Sequence, residues 1–260
     1  MGTAIAQGQL WGARARDWAE VQESQVAPLF TAVLDRIAAG PGRRVLDVGC
    51  GAGLFCQMAA QRGAQVAGLD ASEAMIQIAR ERTPGGDFRT GEMEELPFGD
   101  HEFDAVTGFN SFQYAASPVN ALREARRVAR SGATVIIAVW GQAADLQALP
   151  YMAALGSLLP APPPGTPGPL ALSQDGALEA LAAQAGLTPL QIEEVETLWT
   201  YSNEAEARRG LLSAAPAVRA IQLVGEPAVW EAVANAVAPL RTPSGGYTMR
   251  NKFRYLVARA

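Results

Sequence analysis

Between residues 43 and 140, short apolar runs alternate with amphipathic stretches, the pattern of repeated strand–helix units around a mostly parallel sheet. Strands are predicted there at 43–49 (RRVLDVG), 65–70 (QVAGLD), 87–92 (DFRTGE), 103–110 (FDAVTGFN) and 134–140 (TVIIAVW). The helices between them carry their own start and stop signals. One, FCQMAAQRG, closes at Gly63. The next opens on Ser72, a side chain suited to capping, and stops before Pro84. A third has Pro118 in its first turn and runs to Gly132. Residues 97–102 (PFGDHE) read as loop. Right-handed crossovers fold such units into a doubly wound sheet.

Residues 17–39, before this block, look helical, with a break near Pro28. After it the pattern changes. APPPGTPGP (161–169) suits neither a helix nor a central strand and reads as a stiff, extended loop. A helix over 173–186, a strand over 192–201, helices over 203–214 and 226–238, and a strand over 251–259 follow. No internal repeat is present. The predicted class is α/β: a doubly wound, mostly parallel, seven-stranded sheet with helices on both faces, an N-terminal covering helix and a small helical cap insertion. Its parts are a helical segment over 1–40, the α/β core over 41–140, a cap with the proline-rich loop over 141–191, and a C-terminal unit over 192–260 that completes the sheet.

Composition narrows the function. The chain has 260 residues, 49% hydrophobic and 18% charged, an ordinary globular balance that rules out wholesale disorder. Its net charge of −5 and pI of 5.1 argue against a dedicated nucleic-acid binder. Cys50 and Cys56 are too few for a disulfide framework or a four-cysteine zinc site. The opening residues lack a signal-peptide pattern, and no run approaches the roughly 20 apolar residues of a membrane span. The expectation is a soluble, cytoplasmic protein, a monomer or homodimer, without membrane or nucleic-acid partners.

The most informative stretch is VLDVGCGAG, 45–53. A buried strand runs into Gly49, Gly51 and Gly53, where missing side chains let the backbone turn sharply and lie against a ligand. In the dinucleotide fingerprint the third glycine falls three residues after the second; here Leu54 occupies that place, which suits a ligand without a pyrophosphate. Asp70 ends the second strand 21 residues after Gly49 (70 − 49), well placed to accept both hydroxyls of a ribose.

These residues resemble the class I, seven-strand S-adenosylmethionine-dependent methyltransferases of the small-molecule type. The acid before the glycine loop is Asp47, and the ribose acid corresponds to Asp70. The adenine-side motif appears as Glu92-Met93-Glu94-Glu95-Leu96-Pro97-Phe98. The fourth-strand motif runs from Phe103 to Asn110, and the turn after the third helix is Arg127-Val128-Ala129-Arg130-Ser131-Gly132. Glu92 stands where aspartate is commoner, and Ser131 replaces the usual proline. The resemblance implies S-adenosyl-L-methionine as cofactor and S-adenosyl-L-homocysteine as product. It implies that Gly49, Cys50, Gly51 and Gly53 face the methionine portion and that Asp47 sits near its amino group. Ala71 and Met75 would pack on adenine, with Glu92, Met93 or Glu94 at the adenine edge and Asn110 holding the methionine portion through its carbonyl.

Methyl transfer needs a base only when the acceptor must lose a proton. His101 lies in a solvated turn, no metal site is evident, and Tyr114 is the one candidate proton acceptor. The acceptor pocket would draw on Trp11, Trp18, Phe112, Gln113, Tyr114 and Trp140. Residues 131–207 hold eight acids and no base, and 141–170 offer Leu146, Leu149, Tyr151, Met152, Leu155, Leu158 and Leu159 as apolar lining. A small, largely apolar acceptor, neutral or singly anionic and methylated on O, N or C, is the resulting expectation. A nicotinamide-dependent oxidoreductase and a non-catalytic nucleoside-binding module are the competing readings.

Overall fold

In the computed structural model, which describes residues 2–161, 163 and 166–260, all seven predicted strands form and share one sheet. They are β1 (Arg44–Val48), β2 (Gln65–Asp70), β3 (Asp87–Thr90), β4 (Phe103–Phe109), β5 (Ala129–Trp140), β6 (Thr188–Tyr201) and β7 (Tyr247–Arg259), in the order β3-β2-β1-β4-β5-β7-β6. The first five pair in parallel, and β7 runs antiparallel to both β5 and β6. Val45, Leu46 and Val48 of β1 are buried on both faces of the sheet, as their unbroken apolar run foretells.

The helices are α1 (Ala4–Gly12), α2 (Ala15–Asp17), α3 (Ala27–Arg36), α4 (Leu54–Gln61), α5 (Glu73–Arg82), α6 (Pro118–Val128), α7 (Leu149–Ser157), α8 (Ala177–Gln184), α9 (Glu204–Leu211), α10 (Ala215–Val224) and α11 (Glu226–Val237). Two apolar cores result, one on each face. Side chains of α3, α4, α7 and α9–α11 fill the first, and α6 and α8 cover the second. Ser72 caps α5 as predicted, its hydroxyl accepting the Met75 N–H at 3.3 Å.

Local expectations shift where tertiary contacts intervene. The helix expected to reach Gly132 stops at Val128, because Ala129 already pairs with Phe103 across a bulged junction of β4 and β5. Pro28 does not break a helix; it opens α3, and the irregular turn precedes it at 18–26. The segment 141–191 is not one cap, since α7 packs with α10 and α11 while α8 packs on α6 and β6 across the sheet. The loop over 161–169 lies partly outside the described residues. Among the described residues no helix is long and apolar enough to cross a membrane, and no group of three metal-ligating side chains comes together.

Candidate active site

The carboxyl ends of β1, β2 and β4 meet at the glycine loop, the place where ligands bind in doubly wound sheets. Gly49, Gly51 and Gly53 adopt φ values of 78°, 53° and 81°, in the left-handed region that side chains resist. Their reasons differ. A side chain on Gly49 would run into Ser111, and one on Gly53 would stand 2.7 Å from the Ala79 Cβ, so both serve close packing. One on Gly51 would project towards Glu23 Oε1 and Trp18 Nε1, at 3.3 and 3.4 Å. Of the three, only Gly51 turns its bare side to the N-terminal segment.

Asp70 closes the loop. Its Oδ2 accepts the Gly51 N–H at 2.9 Å and its Oδ1 accepts the Ser72 N–H at 2.8 Å. Burial raises its pKa, opposed by these backbone donors. Asp47 sits deeper, 2% exposed, accepting the Thr107 hydroxyl at 2.7 Å. Burial pushes its pKa up to about 8, with the neighbouring Glu23 and Asp70 carboxylates adding to the rise. Asn110 directly follows β4 with a φ of 48°, a conformation few non-glycine residues adopt, and its N–H donates to the Ala138 carbonyl at 2.8 Å. Three polar atoms in this region are buried without a partner: Trp18 Nε1, Ser111 Oγ and Gln113 Oε1.

The N-terminal segment roofs the cleft. Gly8 and Gly12 let α1 press against Ala71 and Ser72, the Thr3 hydroxyl donates to the Tyr114 carbonyl at 2.7 Å, and the Ala4 N–H donates to Glu92 Oε2 at 3.0 Å. Trp11 meets Trp18 and Tyr114 edge-on at centroid distances of 5.0 and 5.9 Å. Tyr114 has its pKa pushed up to about 12 by burial, so at neutral pH its phenol is protonated, a donor and not a ready base. Arg82 is the clamp beneath: it pairs with the buried Glu23 and donates to the carbonyls of Ala52 (2.9 Å) and Ala19 (2.6 Å). One guanidinium thus ties the roof to the glycine loop. Neither Glu23 nor Arg82 stands out in sequence; their pairing spans 59 residues and no local pattern announces it. Ser111 was likewise missed, although its place directly after Asn110 was the available signal.

The remaining predicted residues have the following surroundings. Met75 is buried beneath the N-terminal segment, packed with Ala15, Ala19 and Ala52. Met93 packs at the edge of the core beneath α6, and Glu94 accepts the Ser117 N–H at 3.0 Å. Cys50 and Cys56 are buried, with thiol pKa values raised by that burial, which leaves them unreactive. Phe112, 1% exposed, belongs to the core and not to a pocket wall. Trp140 joins a separate stack with Phe253 (4.6 Å) and Trp199 (5.5 Å). His101 is an exposed turn residue, as expected.

Two arguments for the acceptor's chemistry weaken. Tyr151 and Leu155 are buried in the core, where α7 packs with α10 and α11, and so do not line an open pocket. The acidic charge of 131–207 is largely neutralised by bases from other parts of the chain. Glu194 and Asp145 meet Lys252, Glu196 meets Arg250, Asp175 meets Arg254, and Glu193 meets Arg36. Most of these bases lie on β7, beside β6. That charge says little about the acceptor.

The fold and the loop define a class: a Rossmann-like sheet whose glycine turn is closed by a strand-end acid. Residues 46–137 match the methyltransferase domain family. Over 106 residues it is 39% identical to the demethylmenaquinone methyltransferase of Renibacterium salmoninarum, covering 41% of this chain and 45% of that protein. Over 114 residues it is 39% identical to the ubiquinone biosynthesis O-methyltransferase of Hahella chejuensis, covering 42% and 48%. The chain thus matches about half the length of these relatives. Across a wider span, 92% of this chain and 83% of the other, its fold is similar to that of the [4+2]-cyclase SpnF, with a TM-score of 0.58 and 23% identity.

Proposed function

We propose that the chain is an S-adenosylmethionine-dependent methyltransferase acting on a small, largely apolar metabolite. The observation that carries this reading is the cradle at Gly49–Gly53 closed by Asp70, within the stretch that matches the methyltransferase family. The cradle fits such a cofactor. Trp18 Nε1, Ser111 Oγ and Gln113 Oε1 are buried and unpartnered beside the loop, and native proteins rarely keep such atoms without a purpose. Asp70 spends one lone pair of each oxygen on a backbone N–H and retains others for a ribose diol.

The bound cofactor supplies a methyl group on a sulfonium, open to in-line attack. The chain's own residues do the rest. Asp47 would face the cofactor's cationic amino group, whose approach would favour its charged form. Glu92 is engaged by the Ala4 N–H, which leaves the Met93 amide as the donor to an adenine edge. Roofing by α1 and Trp11 excludes water, and alignment of this kind supplies roughly 7–11 kcal/mol in favourable cases. Tyr114, with its phenol protonated, would orient an acceptor oxygen by donating to it.

The acceptor class is supported by the aromatic edges of Trp11 and Tyr114 at the cleft. It is supported also by the relatives, whose names point to quinone precursors. Calorimetry with S-adenosylhomocysteine and with NAD tests the cofactor: tight binding of the first and none of the second is expected, and the reverse would overturn the reading. A mass-spectrometric screen of metabolites for the gain of one CH₂ would then name the acceptor.

A further inference from the structure

We propose that the Trp18 indole N–H binds the carboxylate of the cofactor's amino-acid portion, an assignment that rests on the cofactor reading above and moves Trp18 from the acceptor side to the cofactor side. Its nitrogen is buried and has no partner within the protein. An indole N–H can only donate, so its missing partner must be an acceptor. A donor buried without one carries a desolvation penalty that a bound acceptor would recover.

Position selects the acceptor. Asp70 reaches Gly51 through that residue's N–H, whereas Trp18 faces the space where a Gly51 side chain would stand. The ribose therefore belongs to the Asp70 side and Trp18 meets a different part of the ligand. At the amino-acid end the ammonium has no lone pair, and the single pair on the sulfonium sits on a cationic sulfur that does not accept from a donor; the carboxylate oxygens do. Glu23 lies beside Trp18, yet its charge is balanced by Arg82, so a second carboxylate meets no net negative charge there. The ring is held for the task. Trp11 abuts it at 81°, Ala15, Ala19 and Ala52 pack around it, and it begins a short π-helical turn, Trp18–Gln22, a feature frequent at functional sites.

The test compares two ligands on the whole chain: S-adenosylhomocysteine, and 5′-methylthioadenosine, which shares the nucleoside but lacks the carboxylate. Trp18→Phe should weaken the first by about tenfold or more, the effect of a hydrogen bond to a charged group, and the second by less than about twofold. Its melting temperature without ligand should hold or rise, because an unpaired buried donor has been removed. In the wild-type protein, the Trp18 indole proton resonance should move downfield with S-adenosylhomocysteine and stay in place with 5′-methylthioadenosine, a readout that needs no variant. Equal losses for both ligands, no loss for either, or an indole proton indifferent to S-adenosylhomocysteine would overturn the assignment. Failure of the wild-type protein to bind either ligand would instead overturn the cofactor reading, and this assignment with it.

Discussion

Replacing Asp70 by alanine separates two roles that the structure gives one carboxylate. The variant strands the Gly51 and Ser72 N–H groups, which the two oxygens now accept at 2.9 and 2.8 Å. Ser72 is 2% exposed, so its N–H finds no water and costs about 1–3 kcal/mol. The Gly51 N–H lies at the cleft and can be solvated, adding little. Removing a carboxylate whose burial already raises its pKa returns part of the cost. The net expectation is a loss of about 1–2 kcal/mol, or a melting temperature lower by about 2–8 °C for a chain of this size. Fold stability is therefore not left untouched, as the sequence position alone would suggest. For binding, the ribose loses a charged acceptor, and affinity for S-adenosylhomocysteine should drop by about ten- to a hundredfold. Circular-dichroism melts followed by calorimetry on the folded variant give both numbers. Affinity within about twofold of wild type would show that Asp70 shapes the loop and does not touch the ligand. An unchanged melt would refute the loop role.

Other expectations follow from the same geometry. Glu23→Gln leaves the Arg82 guanidinium without its counter-charge but with two carbonyls, and should cost about 2–4 kcal/mol in urea unfolding; a shift below about 1 kcal/mol would mean the pair is not a clamp. Gly53→Ala combines a φ of 81° with a contact 2.7 Å from Ala79 and should cost about 2–4 kcal/mol. Gly132→Ala, at a φ of 74° with nothing within 4 Å, should cost only the backbone share of about 1 kcal/mol. Asp47 binds its proton up to about pH 8 when folded but only to about pH 4 when unfolded. The folded state thus holds more protons between those values, and stability falls as pH rises through them. Glu23 and Asp70 are shifted in the same direction, so Asp47→Asn should flatten the melting-temperature slope between pH 5 and 8 in part; an unaltered slope would contradict the burial argument.

The strands were legible because a parallel sheet covered on both faces writes itself as short, unbroken apolar runs, and the loop because three alternating glycines have few other uses. What stayed hidden depends on partners distant in sequence. Helix α1 carries Gly8 and Gly12, poor helix formers, and buries no residue of its own; docking on Ala71 and Ser72 holds it. Helix α10 went unrecognised because its ten residues follow α9 with no cap side chain to mark a start. The acids on β6 read as a charge surplus until β7 is laid beside them with Arg250, Lys252 and Arg254. The covering N-terminal segment was expected, but the Glu23–Arg82 pair that fixes it over the glycine loop was not, for the same reason.

The sheet order also dictates when the molecule can be finished. β6 touches no strand but β7, and β7 is the last of the seven to leave the ribosome. Until it does, β5 and β6 present two open edges to the cell, the kind of surface on which chains stick to one another. The glycine loop and its acid, wholly within β1–β4, can be in place long before that. A nascent chain could therefore hold a formed cradle while two of its seven strands wait, and anything that slows synthesis of residues 247–259 lengthens its exposure to aggregation and to chaperones. Binding to the early half during that interval would act as a folding aid, since a ligand that prefers the ordered state holds it by mass action.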